Sequence, residues 1–455
     1  MRHWSVGIVG GGPGGLMTAY CLQKYAAVPY RATIFEASPR LGGKIVTGWF
    51  QSTGARYEAG AAELYDYSPV DEDGLRELVE ELGLSITPMR GSAVIMSDRV
   101  LSNLEDVARH LGPGACAAVR AFDRRAKDQI SPREFYHSDE CVGAEAAPDT
   151  FAAALERVPD PRARAYIRNM IHSDVAAEPE QTSLSYGLHN YLMNDPAYMQ
   201  LYSIEGGNER LPRELAARSR ATKLLGHAVT SVGTASDGRL AVTSAHAGAE
   251  RRDAFDFLAL ALPNSHLPRL AFRGERLAAA MRDHCAHYDH PAHYLRVTVL
   301  FRRNFWREAL TDSYWMLDKF GGCCLYDESS REPESPHGVL GWLLGGDAAR
   351  DMSSWSDERL VEAALDSLPA LLAHGRALVA EAHVHRWIGS VSALPGGRVK
   401  RSLDRRHRPE PVGHPNLFVV GDYLFDSTLN GVLDSAEYVA ESVAARMAEF
   451  SGARA

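Results

Sequence analysis

Three glycines near the beginning of the chain have the spacing of a phosphate-binding turn. Gly10, Gly12 and Gly15 follow a short apolar run and precede a stretch with apolar residues at helical spacing. In the pattern G-x-G-x-x-G, the first glycine permits a tight turn, the second lets a pyrophosphate approach the backbone, and the third lets the helix pack against the sheet. Glu36 ends the next apolar run, where an acid can accept hydrogen bonds from ribose hydroxyl groups. The pattern predicts a bound dinucleotide and does not by itself distinguish NAD from FAD.

A second feature that could do chemistry is Glu63, a lone carboxylate that follows Gly60, Ala61 and Ala62. A row of small residues indicates a backbone that lies close to another group. An acid in such a place attracts an ammonium group or accepts a proton from an N–H group. The alternative is a structural glutamate that is capped by the backbone or paired with an arginine, Arg296 included.

The composition is that of an ordinary globular chain with more than one domain. Its 455 residues are too many for one typical core, and 45% of them are apolar and 24% charged. The formal net charge of −9 argues against a nucleic-acid surface, and the basic cluster at residues 398–408 is interpreted as a solvated loop. The six cysteines have neither zinc nor disulfide spacing, which indicates a reducing compartment and no metal site. We find no leader peptide or membrane-spanning run and expect a cytoplasmic protein.

The residues directly after Glu36 distinguish between the two dinucleotides. Residues 38–44, SPRLGGK, resemble the glycine-glycine-arginine segment that follows the acid in the flavin amine oxidase superfamily, which includes monoamine, polyamine and L-amino-acid oxidases. The resemblance implies that Arg40, Gly43 and Lys44 approach FAD. Lys44 stands where the superfamily usually has arginine, and a single cation can meet a phosphate but lacks the planar two-pronged geometry.

Two later stretches carry the same resemblance. Residues 203–212 resemble the superfamily's Gly-Gly-x-x-x-Leu turn, and residues 416–436 resemble its C-terminal strand and helix. The resemblance implies that this helix, expected over residues 433–447, directs its N-terminus at the flavin O2. It also implies that a further set of residues contacts FAD: Gly60, Ala61, Val229, Trp387, Gly421, Asp422, Asn430, Gly431 and Val432.

The implied fold is of the α/β class, with a doubly wound FAD-binding domain of the amine oxidase or GDI-like type and an inserted substrate domain of mixed α+β structure. The FAD-binding domain would comprise residues 1–88, 203–268 and 384–455. The substrate domain would comprise residues 89–202 and 269–383. Within the substrate domain, periodicity predicts helices near residues 104–128 and 149–171 and strands near residues 292–302 and 338–344.

The strand before Phe305 and Trp306 should reach the reacting end of the flavin. In the superfamily this strand carries a lysine that holds a water near flavin N5 and assists the reaction with oxygen. Counting back from the Phe-Trp pair places Arg296 at that position, on one face of the strand with Tyr294. Arginine stays protonated, so it can stabilise negative charge but cannot act as a base. The alternative is an edge arginine that points to solvent.

These residues predict a FAD-dependent oxidoreductase that oxidises an amine or amide C–N bond by hydride transfer to flavin N5, leaving an imine or iminium. Glu63 would orient or deprotonate the nitrogen and Arg296 would stabilise charge. Their departure from the usual residues favours a specialised substrate resembling a natural product. No cysteine lies near Trp387, so we expect non-covalent FAD.

The expected partners are a small-molecule substrate and O2 as electron acceptor, and a homodimer is allowed. Two alternative functions remain open at this point. One is a C–C desaturase resembling protoporphyrinogen or carotenoid oxidoreductases. The other is a GDI-like binding protein that uses no flavin.

Overall fold

The structure is a computed structural model that describes residues 3–91, 93–136, 149–396, 401–425 and 427–452. Its strands are β1 (Trp4–Val9), β2 (Tyr30–Glu36), β3 (Thr47–Trp49), β4 (Arg56–Glu58), β5 (Leu64–Asp66), β6 (Ile86–Met89), β7 (Val94–Met96), β8 (Arg99–Leu101), β9 (Gln200–Ile204), β10 (Thr222–Leu225), β11 (Ala228–Thr234), β12 (Leu240–His246), β13 (Ala249–Phe255), β14 (Phe257–Leu260), β15 (Ala271–Phe272), β16 (Pro291–Phe301), β17 (Tyr314–Leu317), β18 (Cys323–Asp327), β19 (Gly338–Gly345), β20 (Val379–Ser392) and β21 (Leu417–Val419).

Helices separate several of these strands along the chain. They are α1 (Pro13–Tyr25), α2 (Gly74–Glu81), α3 (Leu104–Leu111), α4 (Pro113–Gln129), α5 (Pro132–Tyr136), α6 (Phe151–Glu156), α7 (Pro161–Val175), α8 (Leu184–Leu192), α9 (Arg210–Arg218), α10 (Glu275–His287), α11 (Gly346–Met352), α12 (Asp357–Asp366), α13 (Leu403–His407) and α14 (Leu429–Gly452). Within the described residues, none of the helices is long and apolar enough to cross a bilayer.

A five-stranded sheet has the strand order β10-β2-β1-β14-β21, and the glycine turn follows its strand β1. All four pairings in it are parallel. One face packs against α1 and α14, and the other face packs against β11, β12 and α10. Strands buried on both faces explain the nearly continuous apolar runs of β1 and β14. The predicted α/β fold with a doubly wound sheet is confirmed.

A second sheet of seven strands, in the order β20-β16-β19-β18-β17-β7-β8, lies between two layers of helices. One face packs against α3, α4, α7 and α8, and the other against α11 and α12. Side chains alternate between the two faces, so Cys323 and Cys324 of β18 point into different cores. The strands predicted near residues 292–302 and 338–344 are β16 and β19.

Several element boundaries differ from the sequence-based expectation. The helix predicted over residues 104–128 is divided into α3 and α4 at Gly112, where φ is 91° and Pro113 begins the next helix. The helix expected over residues 433–447 begins earlier, at Leu429. The division into two domains stays a prediction, and β20 runs across its proposed boundary between residues 383 and 384.

Candidate active site

The glycine turn joins β1 to the first turn of α1. Gly10 has a φ of +110°, and a Cβ there would lie 2.2 Å from the carbonyl oxygen of Ala261. A Cβ on Gly15 would lie 2.0 Å from the carbonyl oxygen of Gly10. Both glycines are therefore required for the turn to pack on itself and on the end of β14. Gly12 is the N-cap of α1, so the free N–H groups of the helix begin at this point.

Gly12 and Gly43 approach each other above this turn. A Cβ on Gly43 would lie 3.0 Å from Gly12 Cα, whereas a Cβ on Gly12 would meet only Gly43 Cα, at 3.7 Å. The loop is held in place by a hydrogen bond in which the Gly42 N–H donates to the Gly11 carbonyl at 2.8 Å. The open side of Gly12 is the kind of backbone surface that a pyrophosphate can approach.

Glu36 stands at the end of β2 beside this turn. Its Oε2 accepts a hydrogen bond from the Gly11 N–H at 2.7 Å, and its Oε1 accepts one from the Ser38 N–H at 2.8 Å. The His227 N–H donates to the Glu36 carbonyl at 2.9 Å, which brings the β11 segment with Val229 next to the acid. Glu36 is thus oriented by the backbone and keeps lone pairs for hydroxyl groups.

The two predicted cations of the next loop make internal contacts. The Arg40 guanidinium donates to the carbonyl oxygen of Leu41 at 3.1 Å and also to that of Gly43. Lys44 Nζ donates to the Ser390 carbonyl at 2.6 Å and lies 3.2 Å from Asp422 Oδ2. In the structure Lys44 therefore ties the glycine loop to the start of the C-terminal segment. Its predicted contact with a phosphate remains a prediction.

The C-terminal segment supplies the N-terminus of α14. The Gly421 N–H donates to Ser435 Oγ at 3.1 Å, and the Gly431 N–H donates to Thr428 Oγ1 at 3.1 Å. Asn430 Nδ2 donates to Asp73 Oδ1 at 3.1 Å, but the buried Asn430 Oδ1 has no hydrogen-bond partner among the described residues. Val432 is buried on the first turn of the helix. An unpartnered buried oxygen at a helix N-terminus is compatible with a polar ligand there.

A cavity of about 190 Å³ extends from this helix N-terminus to the second sheet. It brings most of the predicted residues of the reacting end together. Those that line it are Lys44, Gly60, Ala61, Glu63, Arg296, Trp387, Asp422, Asn430 and Val432. We call it the reaction cavity.

Gly60 has a structural reason to be small that the sequence did not show, and its predicted contact with the flavin stays a prediction. The resemblance implied that Gly60 and Ala61 contact FAD. In the structure a Cβ on Gly60 would lie 1.9 Å from the Lys44 carbonyl oxygen, and the Ala61 N–H donates to the same oxygen at 3.1 Å. Gly60 is therefore required by the close approach of two backbone segments, although both residues also line the reaction cavity.

Arg296 lies in the middle of β16 and is 1% exposed. The alternative of an edge arginine pointing to solvent is therefore wrong. Its Nη2 forms an ion pair with Glu328, and its Nε and Nη1 have no partner among the described residues. The guanidinium lies 5.0 Å from the ring centre of Tyr326. Burial acts against the charge of Arg296 and Glu328 supports it, and the net pKa is raised.

Glu328 was not found from the sequence, and it organises this part of the site. It follows β18 and accepts from both Arg296 and Arg331, while the Glu58 N–H donates to its Oε2 at 3.2 Å. A Cβ on Gly341 would lie 3.1 Å from Glu328 Oε1 and 3.2 Å from Arg296 Nη2, so this glycine makes room for the ion pair. A buried arginine in a strand requires a carboxylate nearby, and this is the signal that the sequence offered.

Glu63 lies between this charged cluster and β5. Arg331 Nη2 donates to the Ala62 carbonyl at 2.8 Å and so fixes the backbone just before it. Glu63 Oε2 is buried without a hydrogen-bond partner among the described residues. Burial raises the pKa of Glu63, while a hydrogen bond from Tyr326 and the positive charge of Arg296 oppose this rise. The Glu63 carboxyl group therefore has one oxygen, Oε2, that accepts no hydrogen bond from the described residues.

Trp387 lies on β20 opposite Tyr294 of β16. Its indole N–H donates to the Ala59 carbonyl at 2.7 Å, which clamps the start of the segment that carries Glu63. The tryptophan therefore positions this segment as well as lining the reaction cavity.

The residues along this edge of the five-stranded sheet and in the adjoining reaction cavity fit FAD. Glu36 and Val229 lie at one end, the Gly12–Gly43 approach and the N-terminus of α1 lie between, and the reaction cavity lies at the other end next to α14. This arrangement matches the adenosine, pyrophosphate and ring portions of the cofactor in order. It defines a flavin-dependent oxidoreductase as the class of protein.

Comparison with protein families identifies the particular group. Residues 13–444 match the family described as "Flavin containing amine oxidoreductase". This match covers nearly the whole chain, so the chain belongs to that family and FAD is its cofactor. The prediction of an enzyme rather than a binding protein is confirmed by this membership. No curated protein sequence matches the chain.

Solved structures of similar shape include two amine oxidases. Putrescine oxidase, wild type bound to putrescine, has a TM-score of 0.73 and 18% identity, covering 98% of this chain and 99% of that one. Cyclohexylamine oxidase from Brevibacterium oxydans IH-35A has a TM-score of 0.72 and 19% identity, covering 98% and 100%. A third similar structure is described as a putative protoporphyrinogen oxidase from Exiguobacterium sp. 255-15, with a TM-score of 0.72 and 17% identity, covering 98% and 100%. These similarities support the fold.

Proposed function

We propose that this protein oxidises a carbon–nitrogen bond of an amine or amide-type substrate in the reaction cavity. The substrate carbon next to nitrogen loses a hydride and the substrate becomes an imine or iminium. FAD, when bound, supplies the hydride acceptor at its N5. The observation that carries the proposal is Glu63, whose Oε2 lies buried at the reaction cavity without a partner.

Glu63 has two tasks in this proposal. As a carboxylate it attracts a substrate ammonium group, and with a pKa raised by burial it is basic enough to accept a proton from that nitrogen. Loss of this proton frees the nitrogen lone pair that stabilises the developing iminium. The hydrogen bond from Tyr326 keeps the carboxyl oriented during the transfer.

Arg296 supplies a fixed positive charge on the other side of Glu63. Its unpartnered Nε and Nη1 N–H groups can donate to an acceptor in the reaction cavity without rearrangement. Because the guanidinium stays protonated, it stabilises negative charge there and takes no proton itself. Tyr294, Leu343 and Trp387 provide the apolar walls that exclude water from these groups.

The finer points of the proposal concern the substrate and the setting. The departures from the superfamily's usual residues at positions 63 and 296 favour a specialised amine resembling a natural product, and O2 is the proposed electron acceptor. The names of the putrescine and cyclohexylamine oxidases support an amine. Five cysteines are free and buried within the described residues, which supports a reducing, cytoplasmic setting. A homodimer is the assembly to test first, by light scattering of the purified protein.

The test is anaerobic mixing of FAD-loaded protein with a panel of amines, amides and matched compounds in which the nitrogen is replaced by carbon. We expect bleaching of the flavin absorbance by at least one nitrogen compound, and recovery of the absorbance when air is admitted. Bleaching by the carbon analogue alone would favour the C–C desaturase instead. No bleaching by any compound of the panel would contradict the proposal as it stands.

A further inference from the structure

A loop of five residues connects β4 to β5 and ends in Glu63. We call residues 59–63 the Glu63 loop. Its N–H groups at positions 59 and 60 donate to the Val46 carbonyl at 2.9 and 3.2 Å, and the Ala61 N–H donates to the Lys44 carbonyl at 3.1 Å. The first three N–H groups of the loop are thus satisfied by one neighbouring segment, and its carbonyl oxygens remain for side chains to bind.

Asn208 donates to two carbonyl oxygens of the Glu63 loop. Its Nδ2 lies 2.9 Å from the Ala61 oxygen and 3.1 Å from the Ala62 oxygen. Asn208 is 1% exposed and lies on the turn between β9 and α9. Its amide therefore directs both of its N–H groups at the two residues directly before Glu63.

The orientation of the Asn208 amide is fixed by its other contacts. Its Oδ1 accepts a hydrogen bond from the Ile204 N–H at 2.9 Å, which ties the oxygen to the end of β9. Because the oxygen faces an N–H group, the nitrogen must face the Glu63 loop. The backbone N–H of Asn208 donates to Glu58 Oε1 at 2.9 Å. Asn208 thus joins its own turn, the end of β4 and the Glu63 loop.

Arg331 is a second donor to the Ala62 oxygen. Its Nη2 lies 2.8 Å from that oxygen, while its Nη1 pairs with Glu328. Because the guanidinium is planar, the pair with Glu328 also fixes the Nη2 that reaches the Glu63 loop. Asn208 and Arg331 are not among the described residues that line the reaction cavity. Both can therefore act on the reaction only through the loop that they hold.

We propose that Asn208 is a positioning residue that places the Glu63 carboxyl against the substrate nitrogen, with Arg331 as its support. A displacement of a reacting group by about 1 Å can cost about a hundredfold in rate, so a fixed loop matters for the proton transfer. This inference rests on the role proposed for Glu63 and adds a function for the turn between β9 and α9. Asn208 and Arg331 themselves take no proton and touch no reacting atom.

A double-variant cycle tests whether Asn208 acts through Glu63. The rate of anaerobic flavin bleaching by the best amine of the panel is measured for the FAD-loaded wild type, Asn208→Ser, Glu63→Gln and the combined variant. Serine is too short to reach both loop carbonyls, so we expect Asn208→Ser to slow bleaching by about tenfold or more. In the Glu63→Gln background the same change should slow bleaching by less than about twofold, because the group that Asn208 positions is already disabled.

The matched control is Asn190→Ser. Asn190 is 2% exposed and its Nδ2 donates to the Tyr186 carbonyl at 2.8 Å, so the change removes a similar buried hydrogen bond. Asn190 lies on α8 and is not one of the described residues that line the reaction cavity. We expect this variant to bleach at the wild-type rate.

The pH dependence of bleaching distinguishes positioning from general damage to the fold. Burial raises the pKa of Glu63, and the bleaching rate should rise with pH as this carboxyl ionises and becomes a base. Loosening the Glu63 loop admits water to the carboxyl, so in Asn208→Ser the rise should move to lower pH by about one unit. Damage that leaves Glu63 in place lowers the rate at every pH and does not move the rise.

Arg331→Lys covers the case in which Asn208→Ser does not fold. Lysine keeps the positive charge next to Glu328 but lacks the planar fork that also reaches Ala62, so we expect the same two results. A wild-type rate in the positioning variant, equal slowing in both backgrounds, or a rise at the wild-type pH would each overturn the inference. If Glu63→Gln itself bleaches at the wild-type rate, the proposed function fails instead, so the two failures are distinguishable.

Discussion

Replacing Glu328 by glutamine should destabilise the protein far more than an equivalent change at the surface. Glu328 is fully buried and shared by Arg296 and Arg331, which are 1% and 11% exposed. Glutamine keeps the shape and one acceptor oxygen but removes the charge that neutralises the guanidinium of Arg296. Breaking a buried pair in this way typically costs about 3–5 kcal/mol of the free energy of unfolding.

The matched control is Glu362→Gln. Glu362 pairs with Arg376 on the surface, where the two side chains are 59% and 45% exposed. Exposed pairs of this kind contribute about 0–1 kcal/mol, so the control should remain close to the wild type. Urea unfolding followed by far-ultraviolet circular dichroism measures the free energy of unfolding for each variant.

A double variant separates the lost charge from general damage to the fold. If the stranded cation is the cause, Glu328→Gln combined with Arg296→Met should be less destabilised than Glu328→Gln alone, because the uncompensated charge is gone. The reasoning is refuted if Glu328→Gln costs no more than Glu362→Gln. It is also refuted if the destabilisation of the double variant equals the sum of two large single-variant destabilisations.

The remaining predictions concern pH, packing and the flavin link. Burial raises the pKa of Glu58 to about 7, so near neutral pH the folded state holds a proton that the unfolded state has already released. The free energy of unfolding is therefore highest below the unfolded pKa of Glu58 and should fall by about 3 kcal/mol as the pH rises through the folded pKa. Urea unfolding should show this loss in the wild type but not in Glu58→Gln. Gly60→Ala should lower the melting temperature by several degrees, because the new Cβ would meet the Lys44 carbonyl. Gly452→Ala is the control and should leave the melting temperature unchanged, because a Cβ there has nothing within 4 Å. Equal melting temperatures for the two variants would contradict this account of Gly60. Trichloroacetic acid should release the flavin into the supernatant, and a yellow precipitate would show a covalent link.

The local part of the site could be predicted from the sequence because its residues are close along the chain. Gly10, Gly12 and Gly15 form one turn, and Glu36 follows at the end of the neighbouring strand, so spacing alone defines their arrangement. The alternation of β16 likewise predicted that Arg296 shares a face with Tyr294, and both line the reaction cavity.

The rest of the site depends on contacts between distant segments. Glu328 meets Arg296 only because β18 and β16 both flank β19, and the small Gly341 between them gives no sign of this in the sequence. Tyr326 reaches Glu63 through the same packing.

The most direct test of the central claim is the rate of flavin bleaching under anaerobic conditions, measured by rapid mixing with the best amine of the panel. The account predicts that Glu63→Gln slows bleaching by about a hundredfold, because the carboxyl that takes the substrate proton is lost. The matched control is Glu72→Gln, which changes an exposed glutamate between β5 and α2 and should bleach at the wild-type rate. Equal rates in Glu63→Gln and the wild type would contradict the role of Glu63 and with it the proposed chemistry of the site.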